Sequence, residues 1–314
     1  QNIFRYEVNT DFLLSYKKQF NRFHLGVNFG GNNMVYNHRN QTLTAEKLST
    51  PNVFQIANSV DRPKVAYTLT EKMINSLYGM ISLNYNDTYF LDFTARNDWS
   101  SALSKDNRSF FYPSVSASWV ISDMINNRGK GMPEWFTYAK ARVSYAEVGN
   151  DMDPYQLYNT YSINKDPNGN TTTSMGSTLF DDNVKNELIS SWEAGFEIRF
   201  FNNRLGLDFT WYKSNAKNQL LNLPMNSLSG YTAKKINAGN IQNQGIEIML
   251  NATPIQTKDF SWDMMLNFSK NENKIIELAE GVKQYQLGGY DNLNIYAQAG
   301  GNYDEIWGTT FTRV

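Results

Sequence analysis

Ser191-Trp-Glu-Ala-Gly-Phe-Glu-Ile-Arg-Phe200 alternates without a break, and after Asn202-Asn203 the stretch Arg204-Leu-Gly-Leu-Asp-Phe-Thr-Trp211 does so again. Trp192, Ala194, Phe196, Ile198 and Phe200 form one face of the first segment. Ser191, Glu193, Gly195, Glu197 and Arg199 form the other. In the second segment Leu205, Leu207, Phe209 and Trp211 oppose Arg204, Gly206, Asp208 and Thr210. Period two is the signature of a strand with one apolar face, and a short Asn-rich turn joins two of them into a hairpin.

The same pattern spreads outward from this hairpin. Leu77–Tyr85 and Tyr89–Arg96 alternate around Asn86-Asp87, and further alternating segments lie at 115–121, 141–146, 246–252 and 262–268. Across these eight strands the apolar face has 33 positions and no charge. The opposite face carries Asp92, Arg96, Arg142, Glu193, Glu197, Arg199, Arg204, Asp208, Glu247 and Asp263. A weaker pair near 6–16 and 23–29 brings the expectation to about ten antiparallel strands. Connections near 17–22, 86–88, 201–203 and 254–260 are short, and 122–137 has room for a helical turn. Those near 30–73, 97–111, 148–190 and 214–244 are expected to be long loops.

Composition narrows the function classes. No apolar run exceeds three residues, so no helix can cross a membrane. Lys plus Arg total 29 against 30 Asp plus Glu, which offers nothing to attract nucleic acid. Cysteine is absent, and His24, expected on a polar strand face, and His38, expected in a loop, are the only histidines. Thiolate and imidazole chemistry therefore have almost nothing to work with. Aromatic residues reach 14%, and asparagine occurs 40 times, the mixture of strand formers and turn formers.

An antiparallel soluble sandwich would also alternate. Strands near ten residues, aromatics at both ends of the apolar stripes, and short turns opposite long loops instead suit a transmembrane barrel. Tyr85, Tyr89, Phe200, Phe201, Phe260 and Trp262 flank the short turns, and Trp192, Trp211, Tyr212 and Phe268 lie toward the long-loop ends. The expected fold is all-β, an antiparallel transmembrane β-barrel.

Arg96-Asn-Asp-Trp-Ser-Ser-Ala-Leu103 followed by Phe111-Tyr-Pro-Ser-Val-Ser-Ala-Ser-Trp119 resembles a segment of the SusC/RagA-like TonB-dependent transporters of the Bacteroidota outer membrane. Ala141-Arg-Val-Ser-Tyr-Ala-Glu-Val-Gly-Asn150 is similar to a strand of that family, with Ala146 at a position usually glycine. Trp192-Glu-Ala-Gly-Phe196, Asn203-Arg-Leu205 and Trp211-Tyr-Lys213 resemble its next hairpin. Gly239-Asn-Ile-Gln-Asn-Gln-Gly-Ile-Glu247, Phe260-Ser-Trp262 and Leu266-Asn-Phe-Ser-Lys-Asn271 resemble the one after. The likeness runs in order over about residues 75–280.

The resemblance implies a barrel of about 22 strands with a plugged lumen. It further implies import of an oligosaccharide or peptide driven by the TonB–ExbB–ExbD complex, and a SusD-like surface lipoprotein as partner. On this basis residues 1–314 are expected to be part of a single barrel domain, roughly half of the barrel. No plug, TonB box or signal peptide reads from the chain, and its end, Phe311-Thr-Arg-Val314, lacks a terminal aromatic, so an internal portion of a longer protein is expected. A passive porin or a structural or adhesive barrel remains the alternative, with a soluble glycan-binding sandwich behind it.

No catalytic constellation emerges, and the chain is expected not to be an enzyme. Glu193 and Glu197 stand about 13 Å apart along one strand, too far for a glycosidase pair. Asp166-Pro-Asn168-Gly-Asn170 spaces oxygen ligands like the start of a calcium loop but lacks the distal glutamate, and is expected to be a polar turn without metal. No cofactor is expected. The candidate lumen charges are Asp92, Arg96, Arg142, Glu193, Glu197, Arg199, Asp208, Glu247 and Asp263. Trp99, Tyr155, Tyr158 and Tyr161 are candidate loop aromatics for stacking on substrate.

Overall fold

The computed structural model describes residues 1–129, 131–166, 168–279 and 281–309. Phe311–Val314, the segment without a terminal aromatic, lies outside the described residues. Ten strands follow one another in a single antiparallel path. The first six are β1 (Asn2–Phe20), β2 (Phe23–Thr44), β3 (Lys64–Tyr85), β4 (Tyr89–Ser100), β5 (Ser109–Val120) and β6 (Phe136–Asn150). Helix α1 (Ile121–Asn127) occupies the β5–β6 connection, as its length suggested. The β6–β10 connection holds a hairpin of β7 (Tyr161–Lys165) and β8 (Thr171–Met175) and the two-residue β9 (Thr178–Leu179). The path resumes with β10 (Glu187–Phe200), β11 (Leu205–Pro224), β12 (Ala233–Gln256) and β13 (Ser261–Glu277). A small sheet of β14 (Gln284–Tyr290), β15 (Leu293–Gln298) and β16 (Glu305–Gly308), unforeseen in the sequence, packs around Ile275, Leu278 and Ala297.

The short turns use the residues that tolerate left-handed backbone. Asn21, Asn86, Asp87, Asn202 and Asn203 all take φ between 52° and 67°. The Asn84 amide donates to the Asp87 carboxylate at 2.7 Å and fixes the β3–β4 turn.

Two expected loops are mostly strand, and a third, 97–111, shrinks to 101–108 because β4 runs on to Ser100 and β5 begins at Ser109. β2 and β3 pair from Phe23↔Tyr85 to Thr44↔Lys64, which leaves only 45–63 as a connection instead of 30–73. β11 and β12 pair out to Pro224↔Ala233, which leaves 225–232 instead of 214–244. Alternation disappears there because polar residues occupy both faces. Asparagine ladders replace apolar pairs, as in Asn33 to Asn75 at 2.7 Å and Asn32 to Asp11 at 2.7 Å. His38 sits in this extended part of β2, in a strand and not in a loop.

The sheet is one layer thick. Phe93 is 42% exposed and Leu266 57%, although both lie on the apolar face. A sandwich would bury them against a second sheet, so the soluble sandwich is set aside.

The register explains what covers that face. One hydrogen-bonded row runs Phe268–Ile248–Phe209–Phe196–Ala141–Trp119–Tyr89–Tyr85–Phe23–Phe20. It starts seven residues into β13 (268 minus 261) but ends at the last residue of β1. Seven residues of rise over nine strand spacings is a tilt of roughly 30° between strands and turn plane. The upper limit of the apolar face tilts the same way. On β13 its first polar residue is Lys270, whose row arrives at Lys18 on β1. On β1 Lys18 lies below the apolar positions Tyr16, Leu14 and Phe12, and the first polar residue above them is Thr10, eight residues further along (18 minus 10). Turn plane and apolar boundary are thus parallel, and both are tilted from the strands by nearly the angle a membrane barrel requires. The apolar residues form a level band, which is what a bilayer demands and a protein core does not.

Leu91→Arg, mid-band on the apolar face, should therefore cost the full-length barrel about 2–4 kcal/mol in lipid vesicles. Thr94→Arg, on the opposite face, should cost under about 1 kcal/mol. Denaturant unfolding of both variants reads the difference, and equal losses would contradict the assignment of faces.

Candidate functional site on the polar face

All nine candidate charges lie on the face opposite the band. Asp92 and Glu193 share the row of Ser82, Ser116, Ser144 and Tyr212. Arg142 and Glu247 share the next row with Gly195 and Thr210. Cross-strand polar pairs line the same face, among them Thr94 with Ser114 at 2.5 Å and Ser191 with Ser214 at 3.0 Å.

At its centre Arg142 reaches over a strand. It belongs to β6, yet its guanidinium donates to both oxygens of Asp208 on β11, at 2.7 and 3.2 Å, and to Thr210 at 2.5 Å. Glu193 on the intervening β10 stands 3.7 Å from its Nε. The crossing passes above Gly195, where a Cβ would come within 3.0 Å of the guanidinium and 2.7 Å of the Phe209 carbonyl oxygen. Glycine is needed for this close approach. The fork geometry suits a guanidinium, whose paired N–H groups match a carboxylate. Glu247, Asn267 and Ser269 complete a depression of about 420 Å³ beside the Arg142–Asp208 pair.

The device recurs. Tyr212 on β11 lies across Gly245 on β12 and donates to Asn271 on β13 at 3.2 Å. Tyr78 on β3 covers Gly30 on β2, and Arg96 stands 5.8 Å from the Tyr78 ring centre. Arg96 also donates to Asp98 at 2.8 Å and to Ser76 at 2.8 Å, and Tyr112 donates to Asp98 at 2.5 Å. Toward the short turns, Arg199 pairs with Glu197 at 2.5 Å, and Asp263 accepts from Thr253 at 2.7 Å. Arg204 donates to the Pro254 carbonyl at 2.7 Å.

Long connections gather above this face. Ala102, Leu103, Phe110, Met152 and Val184 form a buried hub with Leu157 and Leu220. Lys72 on β3 pairs with Asp151 at 2.6 Å, and buried Ser100 donates to the same carboxylate. The Glu71 N–H donates to the Tyr155 hydroxyl at 3.0 Å. On the far side, Lys235 on β12 donates to Gln156, and Lys234 pairs with Asp181 at 3.2 Å. The 151–186 connection is thus wedged between the two projecting hairpins.

The loop aromatics divide. Trp99 is not in a loop: it is inside β4, paired with Asn75 and Ser109, on the face opposite Asp98. The Arg-Asn-Asp-Trp-Ser stretch carries side-chain pairing on both faces, so its strand lacks the alternation that would mark it. Tyr155 and Tyr158 are exposed in the wedge, and Tyr161 is exposed as the first residue of β7. Asp166 accepts from the Asn170 backbone at 2.8 Å and side-chain amide at 2.9 Å, which forms the polar turn closing β7 and β8. Those donors hold its carboxylate below the usual range.

Residues 2–313 match the family of TonB dependent receptor-like β-barrels. The chain belongs to that family. It is similar to the TonB-dependent receptor SusC of Bacteroides thetaiotaomicron, 30% identical over 249 residues that cover 76% of this chain and 23% of that protein. It is 31% identical to TonB-dependent receptor P3 of Formosa agariphila over 68% of this chain and 21% of the relative. The chain therefore spans under a third of each of these relatives. Among solved structures, the RagAB peptide transporter superposes with a TM-score of 0.82 at 22% identity, over 95% of this chain and 33% of its counterpart. The outer membrane transporter YddB of Escherichia coli gives 0.62 at 13% identity, over 95% and 38%. The fold is a transmembrane barrel wall of the bacterial outer membrane, and this family is one of transporters and receptors, not of enzymes.

Alternation alone does not mark Asp98, Tyr112, Lys72 or Asp151, although Asp98 lies within Arg96–Leu103 and Tyr112 within Phe111–Trp119. Two expectations follow. Gly195→Ala should displace Arg142 and destabilise the barrel by about 1–3 kcal/mol, and a double-mutant cycle between Arg142 and Asp208 should lose its coupling in that background. Asp181 is held below its usual 3.8 by the Asn183 N–H and Lys234. Its contribution to anchoring the wedge is present above about pH 4 and lost as pH falls through the depressed folded value. Hydrogen exchange over 177–186 should rise below that point in the wild type, and should be high at every pH in Lys234→Met.

Proposed function

We propose that this chain forms part of the wall of a TonB-dependent importer that carries an oligosaccharide or peptide nutrient across the outer membrane. The observation that carries this reading is the crossed polar face, a continuous array of paired charges and hydroxyls opposite the lipid band, within a family of TonB-dependent receptors. Residues 1–314 belong to one barrel domain of about 22 strands, and Asp92, Arg96, Arg142, Glu193, Glu197, Arg199, Asp208, Glu247 and Asp263 face its lumen. Both signs of charge are present and mostly paired, which suits a neutral or mixed-charge cargo rich in hydrogen-bonding groups. Tyr155, Tyr158 and Tyr161 at the rim offer flat apolar faces to sugar rings or peptide side chains. A SusD-like surface lipoprotein on the long-loop side and the TonB–ExbB–ExbD complex on the short-turn side are the partners. No bond is made or broken along the path.

Deletion of the full-length gene should abolish growth on one polymeric nutrient, and loss of TonB should do the same. Growth that needs the barrel but not TonB would instead support a passive porin.

A further inference from the structure

The outer surface of β11–β13 carries a group of lysines that transport does not use. Lys213 and Lys217 lie on β11, and Lys270 and Lys274 on β13. The register puts all four on the lipid-facing side. Lys213 pairs with Trp192, Lys217 with Leu188, Lys270 with Ile246, and Lys274 with Gln242. They begin where the apolar band stops. Trp192, Trp211, Ile246 and Phe268 are the last apolar residues below them, and Lys213 and Lys270 come next along their strands. This is the long-loop side, hence the outer leaflet. The register staggers the lysines: taken along β11, Lys270 is level with Trp211, Lys213 comes two residues on, Lys274 is level with Asn215 and Lys217 lies furthest, so they mark out a skewed patch roughly 10 Å wide and 20 Å long, from two strand spacings and six residues of rise. Between them β12 presents Gln242 and Gln244. Glu272 is the one acid in the patch, paired with Lys270 at 2.7 Å and accepting from Gln244 at 3.5 Å. The patch therefore carries a net charge of +3, whereas the chain as a whole carries −1.

We propose that this patch binds the phosphorylated headgroup of an outer-leaflet lipid. Lysine ammonium groups are point charges on long flexible stems, so neighbouring lysines, about 12 Å apart at the backbone, can converge on a phosphate while their stems lie along apolar surface. Position selects the lipid source over a free anion, since the patch adjoins a band that must already hold acyl chains. A tryptophan pair at the same level, Trp192 and Trp211, suits the headgroup boundary. Each lysine near a charged headgroup adds to its attraction, so the group together separates phosphorylated from unphosphorylated lipid.

The test is native mass spectrometry of the detergent-purified full-length protein, titrated with phosphorylated lipid A and with its dephosphorylated form. Wild type should retain the phosphorylated lipid at least about tenfold more tightly than the dephosphorylated one. Lys213→Gln, Lys217→Gln, Lys270→Gln and Lys274→Gln combined should remove that preference, while the four Lys→Arg changes should keep it. Heat-modifiable migration on gels confirms that each variant is a folded barrel. Displacement of the lipid by millimolar inorganic phosphate would show that the patch recognises phosphate without the lipid. An unchanged preference in the glutamine variant, or equal retention of both lipids by wild type, would overturn the proposal.

Discussion

A peptide group that lacks a hydrogen-bond partner in hydrocarbon costs several kcal/mol, and no side chain can replace the missing partner along a whole strand. The ten-strand sheet is arranged around that cost. Its register runs from β1 to β13 without a break in sequence order, so each residue's side of the sheet is settled once its neighbour's is. The level apolar band, the crossed polar face and the lysine patch are all consequences of one register combined with one tilt. A slip of a single residue anywhere would exchange lipid-facing for lumen-facing side chains in every strand beyond it.

Much of this was legible because lipid imposes a stricter pattern than a protein core. Ser191–Trp211 shows its two faces in the sequence, and the observed register pairs Phe196 with Phe209 and Ala194 with Trp211 as the alternation implied. The pattern faded where its cause was gone. Past Asn33 and Asn215 polar residues occur on both faces, so the hairpins continue as strand while apolar residues such as Val35, Leu220 and Leu221 no longer keep to one side. Trp99 lies in such a stretch too, where the Asn97 and Asp98 side chains are paired on opposite faces of β4. The paired charges posed a different difficulty: alternation reports the side on which Arg142 lies, but not that its partner is two strands away. Gly195, within Trp192–Phe196, is the available sign, since a glycine inside a lipid-crossing strand marks a close approach.

The rim is built by different rules. Its connections are stabilised by a small buried hub and by ion pairs at either end of the wedge, Lys72 with Asp151 and Lys234 with Asp181. Apolar burial is concentrated there, whereas in the wall the apolar side chains face outward and the ladder hydrogen bonds carry the order. A surface that must meet varied cargo while its scaffold stays constant benefits from this separation, because loops can change without touching the register.

The strand-crossing side chains also have a mechanical meaning. Ladder hydrogen bonds join only adjacent strands, and in a cylindrical wall they act like staves held edge to edge. Arg142 ties β6 to β11, and Tyr212 ties β11 to β13, each over an intervening strand. Such ties behave as short hoops on the inner surface. They resist flattening of the cross-section and sliding of the middle stave, the two deformations that an axial pull on material inside the barrel would promote. Glycine is the groove in which each hoop lies.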